Sequence, residues 1–339
     1  MLYARTAPKI LFTIFLAVML LLSCSSQTDP SAQGTKIRIV EVTHSMFYAP
    51  QYVAITKGFF EQEGLQVTLS DGFGGDKTMT ALLADEADII LMGAEGAVYV
   101  TARDAASPVI AFAQVTQTDG SFLISREPVT NFEWEDLRGK TLLGQRKGGM
   151  PEMVSEYVQR RHGLKPHEDV KIIQNVDYQH LGNAFAAGTG DFAQLFEPYA
   201  SILEKEGKGT VVASFGKDSG RLPYTVYITK KKYLDENPET ITRFTRALYK
   251  AQRWVEKHSP AEIAEAIAPQ FPEVDREILI RVLERFKEQD SWATDPIIDQ
   301  QEYEHMLDVM REANELPKEV PYEKVIHTEL VRKVLDAES

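Results

Sequence analysis

Cysteine is almost absent: Cys24 is the single one in 339 residues. A lone thiol closes no internal disulfide and supplies no paired-cysteine metal or redox motif. Positive charge is also short, with 37 Lys and Arg against 50 Asp and Glu and a net charge of −13. That balance opposes nucleic-acid phosphates and broad adsorption onto anionic lipid. The seven histidines are scattered, with no HExxH spacing, so no metal centre is expected. No GxSxG elbow is present, and no cofactor is implied. Gly72 to Lys77 (GFGGDK) superficially resembles a phosphate loop, but a Walker A motif needs glycine where Asp71 and Asp76 stand. Internal repeats, low-complexity tracts and a second apolar run of membrane length are missing too.

The first apolar run is itself short. Ile10 to Leu22 holds 13 residues, interrupted only by Thr13, after the basic Arg5 and Lys9. A membrane-spanning helix needs about 20, whereas the h-region of a secretory signal fits this length. The run ends in Leu21-Leu22-Ser23-Cys24, which resembles the lipobox of bacterial lipoproteins. By that resemblance residues 1–23 are a signal peptide and Cys24 is the lipidated N-terminus. Cleavage there removes two basic residues and no acidic one, which leaves −15. Residues 24–35 are small and polar, the composition of a flexible tether. The expectation is a soluble domain held at the outer face of a cell membrane.

From Lys36 short strands and helices alternate. Strands are predicted over 36–42, 65–69, 87–92, 108–115, 122–125, 141–144, 170–174, 191–196, 210–215 and 225–229, from β-branched and alternating runs. Helices are predicted over 50–57, 77–85, 97–103, 151–161, 178–187 and 198–206, with Pro50 and Pro151 in their first turns. After Lys230 the pattern turns helical, near 239–257, 260–268, 275–288 and 299–313. A βαβα rhythm indicates α/β architecture with largely parallel sheets.

Five segments carry a family likeness. They are Thr56 to Val67 (TKGFFEQEGLQV), Ala84 to Ile89 with Met92-Gly93, Leu137 to Thr141 (LRGKT), Gly188 to Asp191, and Glu197 to Ser201 (EPYAS). In this order they resemble the ABC-transporter solute-binding proteins of the sulfonate, nitrate and thiamine-pyrimidine family; Asp85 departs from the family's usual glycine. The resemblance implies a two-lobed type II periplasmic binding protein fold, its cleft lying between two doubly wound lobes. Lobe one would be 36–117 plus 223–315 and lobe two 118–222, with 316–339 a C-terminal helical tail on lobe one. It also implies a monomer that binds a small solute and delivers it to ABC permease and ATPase subunits. No catalytic residue is expected.

Ligands of open α/β sheets lie outside the carboxyl ends of the strands, which selects the candidate loops. Met46 and Tyr48 follow the first strand as an apolar wall for a planar ligand, while Phe47 either joins them or packs into the core. Gly74 and Gly75 offer backbone N–H groups at a helix start, as do Gly148, Gly149 and Met150 before the helix at Pro151. Arg146 and Lys147 add charge or form a solvated rim. Glu95 and Glu197 either complement helix dipoles or accept from a ligand amine, with Tyr199 beside the latter. Asp119 is a hinge or a site residue. Acceptors outnumber cations here, which favours a planar amino-bearing solute, an aminopyrimidine thiamine precursor. The alternatives are a sulfonate, taurine or nitrate-type anion, or a pyrimidine-biosynthesis enzyme on this fold.

Overall fold

Residues 34–338 are described by the structure, a computed structural model. The expected signal peptide 1–23, Cys24 and the expected tether up to residue 33 lie outside the described residues. Among those described, no helix is long and apolar enough to cross a membrane.

The strands sort into two sheets. In the first, β1 (Thr35–Glu41) pairs in parallel with β2 (Leu65–Asp71) and β3 (Ile89–Gly93), with Ile37 opposite Val67 and Ile39 opposite Ile89. β10 (Thr225–Lys230) inserts antiparallel between β3 and β4 (Val109–Thr116), giving the order β2-β1-β3-β10-β4. Burial explains the two strand textures. β4 is buried at every residue, whereas the edge strand β2 alternates with exposed positions.

The second sheet repeats this plan. β6 (Thr141–Leu143) is parallel to β7 (Lys171–Ile173) and β8 (Phe192–Phe196), while β5 (Ser121–Ser125) runs antiparallel between β8 and β9 (Thr210–Ser214). In each sheet the antiparallel insert is the strand arriving from the other half. The mixed α/β fold is as expected.

Two segments cross between the sheets side by side, joined by Leu222 N–H to Gln117 C=O at 3.0 Å and Tyr224 N–H to Thr116 C=O at 3.2 Å. A third segment lies along them. Gln117 N–H donates to Ser291 C=O at 2.8 Å, and Ala293 N–H to Val115 C=O at 3.0 Å.

Helices cover the sheets where the period-3.6 pattern places them. α1 (Ala49–Thr56) has proline in its first turn and is followed by Gly58 at φ 70°. α2 (Phe59–Gln62) is an unexpected short turn beyond it. α3 (Gly75–Leu83) and α4 (Glu95–Ala102) each begin two residues earlier than their patterns suggest. α5 (Met150–Arg161) follows Gly149, α6 (Leu181–Ala186) is preceded by a 3-10 turn at Tyr178–His180, and α7 is Tyr199–Lys205. Short helices α8 (Phe215–Ser219) and α9 (Lys231–Glu236) bracket β10, and α10 (Pro238–Lys257) buries Ile241, Phe244, Leu248 and Val255 along one face. α11 (Pro260–Ile267) starts from a Ser259/Glu262 capping box. α12 (Arg276–Glu288), α13 (Gln300–Glu312), α14 (Tyr322–Val325) and α15 (Glu329–Glu338) complete the chain.

The helices after residue 275 do not keep to one sheet. α12 packs on α11 and also against α7, and α13 packs against α5, where Tyr157 and His305 meet at 5.4 Å between ring centroids. α15 lies on α10, and Ile326 bridges to Ala111 of β4.

Candidate functional site

The carboxyl end of β1 is anchored by a buried polar cluster. Glu41 Oε1 lies 2.7 Å from His44 Nδ1, while Oε2 accepts from Gln51 Nε2 and Tyr52 OH, each at 2.7 Å. His44 also stacks on Phe271. So held, the chain turns through one 3-10 turn, Met46–Tyr48, capped by Ser45, and all three side chains are buried. Tyr48 places its hydroxyl by Thr225 at the start of β10, and burial holds its phenol well above the usual range. Phe47 is a wedge between the halves. Its ring centroid lies 5.0 Å from Phe286, 5.8 Å from Tyr224 and 6.4 Å from Phe196. Gly120 permits this approach, since a Cβ there would fall 2.7 Å from the ring.

Glu95 opens α4 at the end of β3. Its carboxylate folds over Gly93, where a Cβ would meet Oε2 at 2.0 Å. Burial pushes the carboxyl up to about 7, against the pull of its own N–H and the Met150 N–H facing it from α5. Oε2 is buried without a hydrogen-bond partner. One turn on, Tyr99 OH donates to Gly148 C=O at 3.1 Å. The carboxylate thus occupies the N-terminal end of α5, where a solute anion would otherwise sit.

That arrangement corrects the expected backbone cradle. Gly148, at φ 89°, donates its N–H to Glu152 Oε2 at 3.1 Å, and the Met150 N–H is turned towards Glu95. Gly149 caps the helix. The N–H of Gly74 donates to Val42 C=O at 2.9 Å, so it holds its own loop, and Gly75 packs its α-carbon near Met92. Arg146 and Lys147 are exposed rim residues paired with Asp177 and Glu315 at 3.5 and 3.4 Å.

Glu197 is a second correction. Oε1 accepts from Arg285 Nη1 at 2.7 Å and Ser201 Oγ at 2.9 Å, and Oε2 from Ser201 N–H at 2.9 Å. Oε1 ties α7 to α12 and Oε2 caps α7, so both oxygens are engaged within the protein. Tyr199 lies with its ring over Gly182, half-buried beside Tyr178.

Asp119 is a further buried carboxylate. It is fully buried in the first crossing, with Oδ1 accepting from Ser121 N–H at 2.6 Å and from Ser121 Oγ. Its Oδ2 has no hydrogen-bond partner, and the Tyr224 hydroxyl faces it without closing a bond. Burial pushes Asp119 up to about 6. Gln194 Nε2 reaches Ser121 Oγ at 2.8 Å and Pro151 C=O at 2.9 Å, while its Oε1 is buried and unpartnered. Tyr224, from the second crossing, is close enough to feel Asp119, Glu95 and Tyr48 together. Sequence spacing missed Ser121, Gln194, Tyr178 and Tyr224, because a strand interior and a crossing carry no loop signature.

The gathered groups are acceptors beside aromatic rings, and no group of three or more His, Cys, Asp or Glu among the described residues is arranged to hold a metal ion. Ser121 Oγ donates to the Asp119 carboxylate. What this arrangement can do is receive hydrogen-bond donors.

A family model described as NMT1/THI5 like matches residues 46–262. YtlA of Bacillus subtilis (strain 168) is 51% identical over 300 residues, 88% of this chain and 90% of that one. Among solved structures, the alkanesulfonate-binding protein SsuA from Xanthomonas axonopodis pv. citri bound to MOPS superposes with TM-score 0.68 at 18% identity, over 89% of this chain and 98% of that chain. The periplasmic nitrate-binding protein NrtA from Synechocystis PCC 6803 gives 0.69 at 16% identity, over 90% of this chain and 89% of that chain. At these identities the two structures share the fold with this chain.

Proposed function

The chain belongs to the NMT1/THI5-like family, and on that premise we propose that it is the solute-binding lipoprotein of an ABC importer, anchored through Cys24 on the extracytoplasmic face. The sulfonate- and nitrate-binding proteins that share its fold support solute capture between two lobes, 36–117 plus 223–315 and 118–222. The signal-like residues 1–23 and the lipobox-like Leu21 to Cys24 support export and anchoring. The solute is returned chemically unchanged.

The favoured solute is an aminopyrimidine thiamine precursor. The observation that carries this choice is the unpartnered set Glu95 Oε2, Asp119 Oδ2 and Gln194 Oε1, buried beside Tyr48 and Tyr224. Buried acceptors without donors are costly, and an amino-bearing ring supplies donors at its edge and a face for the aromatics. A sulfonate or nitrate would bring further acceptors to an end of α5 that a carboxylate already fills.

A thermal-shift screen of the mature chain decides between these. A solute at 100 times its dissociation constant stabilises by about 2.7 kcal/mol. A shift of several degrees with aminopyrimidines and none with alkanesulfonates is expected. The reverse pattern would sink the choice of solute, and a new product in the mixture would sink the transport reading.

A further inference from the structure

Resting on that solute-binding reading, the charges around the cleft go further and specify the solute's ionic state. Four parts of the chain bring carboxyl groups towards Tyr99 and Tyr224: α4 with Glu95, the first crossing with Asp119, α5 with Glu152, and the residues after α13 with Glu315. Of the cations nearby, Arg103 is exposed beyond Tyr99, and two others are paired with carboxylates. Arg160 pairs with Glu156 at 2.6 Å, where His167 Nε2 also lies 2.8 Å from the carboxylate, and Lys147 pairs with Glu315 at 3.4 Å. Glu152 is held above the usual carboxylate range by burial and by the neighbouring Glu156 carboxylate.

Glu95 is faced by Tyr99 from its own helix, by the Met150 N–H from α5 and by Tyr224 from the second crossing. Arg103, Glu152 and Glu315 stand beyond, around Tyr99. Asp119 is faced by Ser121 and Tyr224, with Tyr48 near the latter, while Gln289 donates to its backbone C=O. No Lys, Arg or His among the described residues pairs with either carboxyl. Each keeps one buried oxygen unpartnered.

A neutral donor would satisfy those oxygens as hydrogen-bond acceptors but leave any charge on them uncompensated, which is expensive in a buried site. A cation satisfies both demands. We infer that the cleft takes its solute as a cation (an ammonium, an amidinium or a charged amino-heterocycle), whose positive end meets the unpartnered oxygens of Glu95 and Asp119. The carboxyls then ionise and pair with the solute; nothing else changes covalently.

Burial holds Glu95 near 7 and Asp119 near 6. Both therefore carry protons at about pH 5 and neither does at about pH 8. For a solute with a fixed positive charge, ionising Glu95 alone makes binding about 100-fold tighter at pH 8 than at pH 5, and Asp119 adds about tenfold more.

The test is titration calorimetry on the mature chain, in buffers of different ionisation enthalpy, at pH 5, 6, 7 and 8. The probes are 1-methyl-4-aminopyrimidinium as a fixed cation, 4-aminopyrimidine, neutral pyrimidin-4-one, guanidinium, and methanesulfonate. The fixed cation should bind tightest, release about one proton or more at pH 6 and show the steep pH profile. Glu95→Gln, checked for an unchanged far-ultraviolet spectrum, should reduce that profile to the roughly tenfold part that Asp119 contributes. Neutral probes binding tighter than cations, a flat profile for the fixed cation, or binding by none of the cations would each overturn the inference. 4-Aminopyrimidine binding with no preference for charge would remove the cation and leave the aminopyrimidine reading standing, whereas binding by methanesulfonate alone would remove both.

Discussion

Arg285→Met should cost about 3 kcal/mol of folding stability, because it strips the counter-charge from a carboxylate that has no water to turn to. Glu197 is 0% exposed at its side chain and Arg285 is 19% exposed, and they meet at 2.7 Å. Arg285 also reaches Glu204 and donates to Ser201 Oγ at 3.0 Å. Methionine fills most of the stem volume, so lost packing is small and the loss is electrostatic. Removing one partner of a buried pair costs about 3–5 kcal/mol, and the lower end applies here because Ser201 still donates twice to Glu197. Unfolding entropy of about 2.1 cal/mol/K per residue over about 300 residues converts that loss into about 5 °C of melting temperature. Urea unfolding followed by circular dichroism measures it directly. The double variant Arg285→Met/Glu197→Gln should recover at least half, since the orphaned charge is gone. A loss under about 1 kcal/mol, or no recovery in the double variant, would refute the assignment of Glu197 as a structural carboxylate.

Three further outcomes are expected. Gly120→Ala places a methyl 2.7 Å from the Phe47 ring, so it should lower stability by about 1–3 kcal/mol in the same urea assay, and Phe47→Leu in the same chain should restore part of it. Glu95, raised from 4.5 to about 7 in the folded state, makes the unliganded protein hold a proton that the unfolded chain has lost; its share of the stability should therefore fall by about 3 kcal/mol as pH rises from about 4.5 to 7, and Glu95→Gln should make melting curves across the range less steep by that share, the parts due to Asp119 and Glu152 remaining. Cys24→Ser should abolish metabolic lipid labelling and leave the signal segment uncleaved by the lipoprotein peptidase, whereas a correctly processed, membrane-retained variant would contradict the anchor.

Periodicity carried the sheets and long helices into view, because Lys36 to Val42 alternates and α10 repeats its apolar face every three to four residues. It missed what depends on meeting distant chain. β10 reads as an ordinary strand, yet it lies antiparallel between β3 and β4, a placement set by the crossing that delivers it. Of the candidate site, Tyr48 and Glu95 fell in loops that the strand-end rule selects. Glu197 obeyed the same rule, which could not choose between a helix-start carboxylate and a ligand acceptor because its partner Arg285 is 88 residues away. Gly74 and Gly148 looked open because nothing in their neighbours' identity says that Val42 C=O and Glu152 will claim their N–H groups. Asp119 and Gln194 gain meaning only when a crossing and a strand interior converge on Ser121.

The insertion of β10 also sets an order in time. Until residues 225–230 have emerged, the first sheet has no partner for the facing edges of β3 and β4, both strands almost wholly buried in the finished protein. Those edges are bare backbone ladders of the kind that recruit other strands, and closing them requires contact across more than a hundred residues, a slow step. The second half of the chain must therefore be largely assembled before the first is finished, although the first is made earlier. A chain stopped anywhere between β4 and β10 would carry its stickiest surface uncovered, and the nascent protein passes through that state every time it is made.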